Sequence, residues 1–555
     1  MSENREYIID NFAGGGGAST GIELALGQPI DIAVNHDGDA IAMHTVNHPY
    51  TTHYKEDVFA INPEEATHGR PVGIAWFSPD CKHFSKAKGD KPVEKKIRGL
   101  SWVILKWAMS TVAPRVIFME NVEEIQTWCP LIEVNGKMRP DSTRIGETFK
   151  GFVQMLSGGI SANHPALIEA CEFLHIAPDS DEAGKLIRGL GYNVEHRILR
   201  ACDYGAPTIR KRFYLVARND GQPIVFPEPT YGVGKGLKPY KTAAQCINWS
   251  IPCPSIFGRK KSLVVNTQKR IARGLDKFVV RNPKPFILQM NYQNAPQDID
   301  APLSTEVTVN HHYVATPLLS KYFSGDGQCG AAINEPLPTV TSVDHSALIA
   351  PHLIQYYGGD DHSASTETPL ATVTTLPRHF LVESHLCVLR RNTDCKDIDK
   401  PLPTITTSAG HFAQVTTKLQ KIKGTQDLGN WKEIRRMLND YAGYKIADDE
   451  ILLIEINGEK FFISDIGMRM LKAEELKLAQ GFPKDYVIDI EPYIGKKYSE
   501  AKQIARLGNA VCPPVATALI KANCPEMCNP ADISTMSQLN KIISNRRCLR
   551  QNGSI

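Results

Sequence analysis

Four consecutive glycines, Gly14 to Gly17, stand between an apolar stretch, Tyr7-Ile8-Ile9, and a helical one, Ile22-Glu23-Leu24-Ala25-Leu26. Strand, glycine turn and helix open a βαβ unit, which commits the amino-terminal part of the chain to an open, doubly wound α/β sheet. Glycine lacks Cβ, so the backbone there can reverse sharply and approach a ligand closely. On its own such a turn suits a nucleotide-bearing ligand of several kinds, or only a tight bend.

The alternation continues. Ile30 to Val34 reads as a second strand ending at Asn35-His36-Asp37, and a helix with Ile41, Met43 and Val46 follows. Lys55-Glu56-Asp57-Val58 comes next, with Asp57 expected to follow a third short strand. Gly73 to Phe77 reads as a buried strand that stops at Ser78-Pro79 and places Cys81 at its carboxyl end, where open α/β sheets hold their chemistry. Lys82, His83 and Lys86 surround that thiol with positive charge, which favours a nucleophilic thiolate. An amphipathic helix through Trp102, Leu105, Trp107 and Val112 precedes a strand at Val116 to Met119, which ends at Glu120-Asn121-Val122. Two further strands, Gly191 to Leu199 and Arg212 to Ala217, flank a loop that carries Arg210-Lys211-Arg212. Residues 123–190 read as a loop insertion followed by helices.

Composition excludes several classes. The 555-residue chain is 42% hydrophobic and 22% charged, as in ordinary globular proteins. It has no apolar run near the ~20 residues that a membrane span needs, and the start Met1-Ser-Glu-Asn-Arg does not resemble a signal peptide. Thirteen irregularly spaced cysteines suit a reducing compartment, so a cytoplasmic protein is expected. With a net charge of only +3, contact with nucleic acid has to come from local patches. The densest holds Arg259, Lys260, Lys261, Lys269 and Arg270, and continues to Arg281.

From about residue 222 to 465, Pro, Thr, Val and Gly dominate and helical periodicity fades. An internal repeat lies here: Pro302-Leu-Ser-Thr-Glu-Val-Thr, Pro336-Leu-Pro-Thr-Val-Thr, Pro369-Leu-Ala-Thr-Val-Thr and Pro401-Leu-Pro-Thr-Ile-Thr recur at a spacing of roughly 33 residues, between 286 and 419. A histidine follows each: His311, His345, His379 and His411. Alternating Thr and Val favours β-strands, so stacked β-rich units are expected, and the histidines read as turn residues rather than metal ligands. Helical character returns with Met468 to Leu476 and Gln480-Gly481-Phe482-Pro483, then with Gly508-Asn509-Ala510-Val511 and a helix to about Ala522. The tail, residues 526–555, reads as polar and poorly ordered.

Taken in order, these stretches resemble the motifs of the cytosine-C5 DNA methyltransferases. Phe12-Ala-Gly-Gly-Gly-Gly resembles the S-adenosylmethionine loop, Ser78-Pro79-Asp80-Cys81 the nucleophile loop, and Glu120-Asn121-Val122 the family's Glu-Asn-Val. Arg210-Lys-Arg212 resembles the paired-arginine strand, while Gln480-Gly-Phe-Pro and Gly508-Asn-Ala-Val resemble the last two motifs. The sequence departs from the pattern at Asp80, inserted before the cysteine, at Thr208 in place of glutamine, at His36-Asp37 in place of the acid after the second strand, and at Lys472 in place of threonine.

The resemblance implies a Rossmann-like S-adenosylmethionine-dependent domain with a smaller β-rich target-recognition domain. Residues 1–221 and 486–525 would form the first and 222–485 the second. It implies catalysis by Cys81, Glu120, Arg210 and Arg212, and cofactor contacts at Phe12, Gly14, Gly16, Gly17, Asp37, Asp57, Pro79, Leu100, Asn509 and Val511. Double-stranded DNA is the implied partner, held by Lys86, Arg259, Lys260, Lys261, Lys269 and Arg270, with no metal and no obligate protein partner; the protein is expected to be monomeric. The chemistry is consistent with this: cytosine C5 becomes nucleophilic only after a soft nucleophile adds at C6, and a duplex base must be flipped out first. An RNA cytosine methyltransferase and a catalytically silent DNA-binding protein of the same fold are the rival expectations. The long central region argues against the first, and intact Cys81, Glu120 and both arginines argue against the second.

Overall fold

The computed structural model describes residues 5–80, 84, 95–280, 428–456 and 459–551, with the backbone of short strands between 286 and 421. Cys81, Lys86, and the histidines and most of the repeats of the central region lie outside the described residues.

The strands are β1 (Tyr7–Asn11), β2 (Ile32–Val34), β3 (Thr52–Tyr54), β4 (Val72–Phe77), β5 (Val116–Asn121), a small hairpin β6 (Leu131–Val134) and β7 (Lys137–Pro140), then β8 (Asn193–Arg200) and β9 (Lys211–Arg218). Seven of them form one sheet in the order β3-β2-β1-β4-β5-β9-β8. The first five run parallel, while β9 pairs antiparallel with both β5 and β8. The order reverses beside β1, so the crevice above its carboxyl end is the ligand position of a doubly wound fold. The central strands β1, β2, β4 and β5 are buried on both faces and therefore read as continuous apolar runs rather than alternating ones, while the edge strand β8 is largely exposed and β3 partly so.

One face packs Trp76 and Phe118, stacked at 5.4 Å, with Ile8, Ile74 and Val216 under helix α1 (Gly17–Leu26) and the late helix Pro513–Asn523. The other packs Phe77, Met119 and Phe213 with Trp102, Trp107 and Phe152. The third strand lies at Thr52–Tyr54, shortly before Asp57, with Thr52 in register with Ile32. The helix expected through Trp102 begins as a 3-10 turn, Gly99–Trp102, before the α-helical Val103–Met109.

In the second half, the long strands Phe412–Lys421 and Glu459–Met470 pair antiparallel from Ala413↔Met470 to Lys421↔Phe461, with Ile454–Ile456 alongside. Phe461, Ile463 and Ile466 share a core with Ile271 of helix Val265–Gly274 and with Ile434 and Leu438 of helix Trp431–Ala442. The chain end differs from expectation: residues 536–551 form a helix that buries Met536, Leu539 and Ile543. Its first turn is capped by Asp485, whose carboxylate accepts from the backbone nitrogens of Met536 and Ser537. An apolar spacing of three and four residues in Met536, Leu539 and Ile543 is the signal that a reading by overall polarity overlooks.

Candidate active site

Two clusters sit at the carboxyl end of the main sheet, one on β1 and one on β5. At β1 the backbone leaves the strand through Phe12, whose φ of 66° is unusual for a residue with a side chain and costs on the order of 1 kcal/mol. The turn is held by the Ala13 nitrogen donating to the Val34 carbonyl at 3.0 Å, and α1 begins after Gly16 at φ 74°.

What the glycines accommodate is mostly protein. A Cβ on Gly16 would strike the Tyr486 hydroxyl, and one on Gly17 would strike the Val511 carbonyl oxygen. The returning chain thus closes on the turn. Only Gly14 among the four has room, its nearest neighbour being the Phe12 carbonyl at 3.8 Å. Tyr486 donates its hydroxyl to the Gly15 carbonyl at 2.9 Å, and Gln480 donates to the Leu507 carbonyl at 3.0 Å, which binds the last two motifs together.

The other expected cofactor residues divide. Asp37 caps helix α2 (Gly38–Asn47) by accepting from Asp39 and Ala40, and pairs with Arg506 at 2.6 Å, so both its oxygens are engaged within the chain. Asp57 is exposed and accepts from the Phe59 nitrogen at 3.1 Å. Pro79 and Val511 are buried, Leu100 half-buried and Asn509 exposed at the end of helix Glu500–Asn509. Asn11, which sequence reasoning missed, is fully buried beside Phe12, and neither its Oδ1 nor its Nδ2 meets a hydrogen-bond partner among the described residues. A polar residue closing an apolar strand was the available signal. An amide left unpaired in this way costs about 1–3 kcal/mol, which suits a wall that meets a polar ligand.

At β5 the last strand residues are Glu120 and Asn121, both buried. Arg212 reaches Glu120 with Nε 3.1 Å from Oε1, yet the angle leaves Oε1 without an aligned hydrogen bond. Tyr214 faces Glu120 across the strand pair, and burial holds its hydroxyl far above the ordinary phenol range. Asn121 donates through Nδ2 to the Pro79 carbonyl at 3.1 Å, which ties the segment leading to Cys81 to the end of β5. The paired arginines have separate tasks. Arg212 meets the carboxylate, whereas Arg210, expected beside it, donates to the Gly508 carbonyl at 2.9 Å and anchors the returning chain.

Among the basic residues, Arg259, Lys260, Lys261 and Lys269 are exposed, while Arg270 is buried with Ile271 and Ala272 in the second core. On helix Val265–Gly274 neighbouring positions face different ways, so a charge run in the sequence does not put every cation on the surface.

The sequence profile of the family described as C-5 cytosine-specific DNA methylase matches residues 7–128 and 181–270. Type II methyltransferase M.AquIA of Picosynechococcus is 27% identical over 275 residues, which is 46% of this chain and 95% of that protein. Type II methyltransferase M.BspRI of Lysinibacillus sphaericus is 27% identical over 297 residues, 52% of this chain and 61% of its own length. The Dnmt2 methyltransferase structure from S. pombe aligns over 93% of this chain and 97% of that one, at 12% identity and a TM-score of 0.40. The profile spans the glycine turn, the Glu-Asn-Val strand and the arginine strand described above, and over those residues the chain is similar to the C-5 cytosine-specific DNA methylases and to type II methyltransferases.

Proposed function

We propose that the protein methylates C5 of a flipped-out cytosine in duplex DNA, through a transient bond between the Cys81 sulfur and C6 of the base. The observation that carries this reading is the end of β5, where a buried Glu120 with an unaligned oxygen stands next to Asn121, which holds the Pro79 carbonyl two residues before Cys81. In this reading the Cys81 thiolate gives an electron pair to C6, and the C5–C6 and C4–N3 π pairs shift so that N3 accepts a proton from Glu120. Arg212 keeps the carboxylate turned toward the base and neutralises it once the proton has left. Removal of the C5 proton by a base then returns an electron pair to the C5–C6 bond and expels the thiolate.

S-adenosylmethionine, when bound, supplies an electrophilic methyl group. The residues present fit it: Gly14 leaves an open turn, Asn11 offers an unpaired amide, and Asp57 is exposed. Phe12, Gly14, Asp57, Leu100, Asn509 and Val511 would line its site, with Gly16 and Gly17 receiving the returning chain and Asp37 supporting from the second strand. Residues 1–221 and 486–525 make the catalytic unit, and residues 222–485 the target-recognition unit. Lys86, Arg259, Lys260, Lys261 and Lys269 hold phosphates, so affinity for DNA falls steeply with salt. The test is a gel-stable adduct with a duplex containing 5-fluorocytosine, formed in the presence of S-adenosylmethionine. The adduct is expected with the intact chain and absent in Cys81→Ala; an adduct that persists in Cys81→Ala overturns the assignment.

A further inference from the structure

Beneath the cofactor turn runs a buried hydrogen-bonded chain that methyl transfer itself does not require. Ser19 donates its hydroxyl to Asp10 Oδ2 at 2.5 Å, Ser19 Oγ lies 2.8 Å from His44 Nε2, and His44 Nδ1 lies 2.8 Å from His53 Nε2. Asp10, Ser19 and His44 are fully buried, while His53 on β3 is half-buried and meets the backbone of Thr51. The chain therefore leads from near the surface to a carboxylate two residues before Phe12. A second arm lies beside it. His48 pairs with Glu23 at 2.8 Å, its ring is 4.3 Å from that of His44, and its Nε2 is 3.4 Å from Thr20 Oγ1.

Three hydrogen bonds in series allow only two consistent proton arrangements. With Asp10 ionised, every donor points inward, His53 to His44, His44 to Ser19 and Ser19 to Asp10, and His53 gives up its donation to the Thr51 backbone. A proton taken up at His53 Nδ1 reverses the series. The His53 Nε2 proton passes to His44 Nδ1, the His44 Nε2 proton to Ser19, and the Ser19 proton to Asp10, with no displacement of heavy atoms. The rest of the molecule gives this chain a titrating end. Burial pushes the Asp10 carboxyl up to about 7, Glu23 of α1 adds to that rise, and His48 opposes it. Burial holds His44 well below its ordinary range and brings His53 down to about 4, so both stay neutral where Asp10 changes charge. Tyr486, the remaining titratable group here, is held un-ionised by burial.

We propose that Asp10, with the Ser19–His44–His53 chain that carries its proton, is a specificity-determining charge switch that favours the cationic methyl donor over its neutral product when Asp10 is ionised. The proposal rests on the S-adenosylmethionine reading above. The donor carries a sulfonium and the demethylated product a neutral sulfide. A buried negative charge near the turn attracts the first and is indifferent to the second, a difference of about fivefold to tenfold in affinity at partly screened separations.

Titration calorimetry of the full chain with S-adenosylmethionine and with S-adenosylhomocysteine, in the absence of DNA, tests it between about pH 6 and about pH 8. Relative to Asp10→Asn, the intact protein is expected to gain about fivefold in preference for the donor across that range. Ser19→Ala, which removes the hydroxyl between His44 and Asp10, is expected to move the midpoint to higher pH. Superimposable profiles for the intact protein and Asp10→Asn overturn the proposal. Where circular dichroism shows Asp10→Asn unfolded, an unmoved midpoint in Ser19→Ala overturns it instead. Failure of both compounds to bind the intact protein rejects the cofactor reading, a result distinct from equal preference.

Discussion

The ends of β1 and β5 lie in one sheet, yet they are held in different ways. At β1 the turn is enclosed by chain that returns some 470 residues later: Tyr486 bonds the Gly15 carbonyl, Val511 lies against Gly17, and Arg506 pairs with Asp37. At β5 the neighbouring strand suffices, with Glu120 and Asn121 paired to Tyr214 and Phe213 of β9. There the partner of the carboxylate, Arg212, is close but unaligned. The first end is specified by packing and tolerates little change of volume. The second is specified by charge and is left with bonding capacity for a substrate. Damage to one should therefore appear in stability and cofactor binding, and damage to the other in turnover.

Glu120→Gln is the largest expected effect. It keeps the shape and removes the proposed proton donor, so single-turnover methyl transfer should fall by about 10²–10⁴-fold. Its melting temperature should move less than that of Gly17→Ala; the opposite order would break the contrast between the two ends. Gly17→Ala comes next, because the new Cβ meets the backbone of Val511 rather than a side chain that can turn away. Denaturant unfolding should show a loss of about 1–3 kcal/mol, accompanied by weaker binding of S-adenosylmethionine. Gly14→Ala, with open space around it, should leave unfolding nearly unchanged and affect only the ligand.

The smallest effect is in pH. Below about 6.5 the unfolded chain protonates His44 and His53 while the folded chain resists, so these two contribute stability that is lost as pH falls. Asp10 acts the other way, since its raised value means that the folded chain keeps a proton up to about pH 7 that the unfolded chain has released. Two histidines outweigh one aspartate, so calorimetric melting temperatures should decline on acidification from neutrality. His53→Gln should flatten that decline, and an unchanged slope would show that the buried chain does not titrate as described.

Much of this was legible in the residues. Apolar runs ending in polar residues located β1, β2, β4 and β5 to within two residues, because a strand buried on both faces needs a continuous apolar stretch and its chemistry must follow it. Glu120, Arg212 and the glycine turn were recognisable for the same reason. The exposed cations were legible only as a run, and the burial of Arg270 depended on which way one helix turned. The docked helix Met536–Gln551 was hidden by polar composition.

The order of chemistry-bearing residues along the chain determined the kind of reaction and the class of fold, since strand periodicity and side-chain reactivity are local properties. Which partners those residues meet was decided only by tertiary structure. Arg210 and Arg212 are two residues apart, yet one holds Gly508 and the other Glu120, and Asp10, Ser19, His44 and His53 join in one chain only after three strands and two helices have packed. Hydrogen bonds and ion pairs act over a few ångströms, and in a chain of this length those distances are set by the return of remote segments.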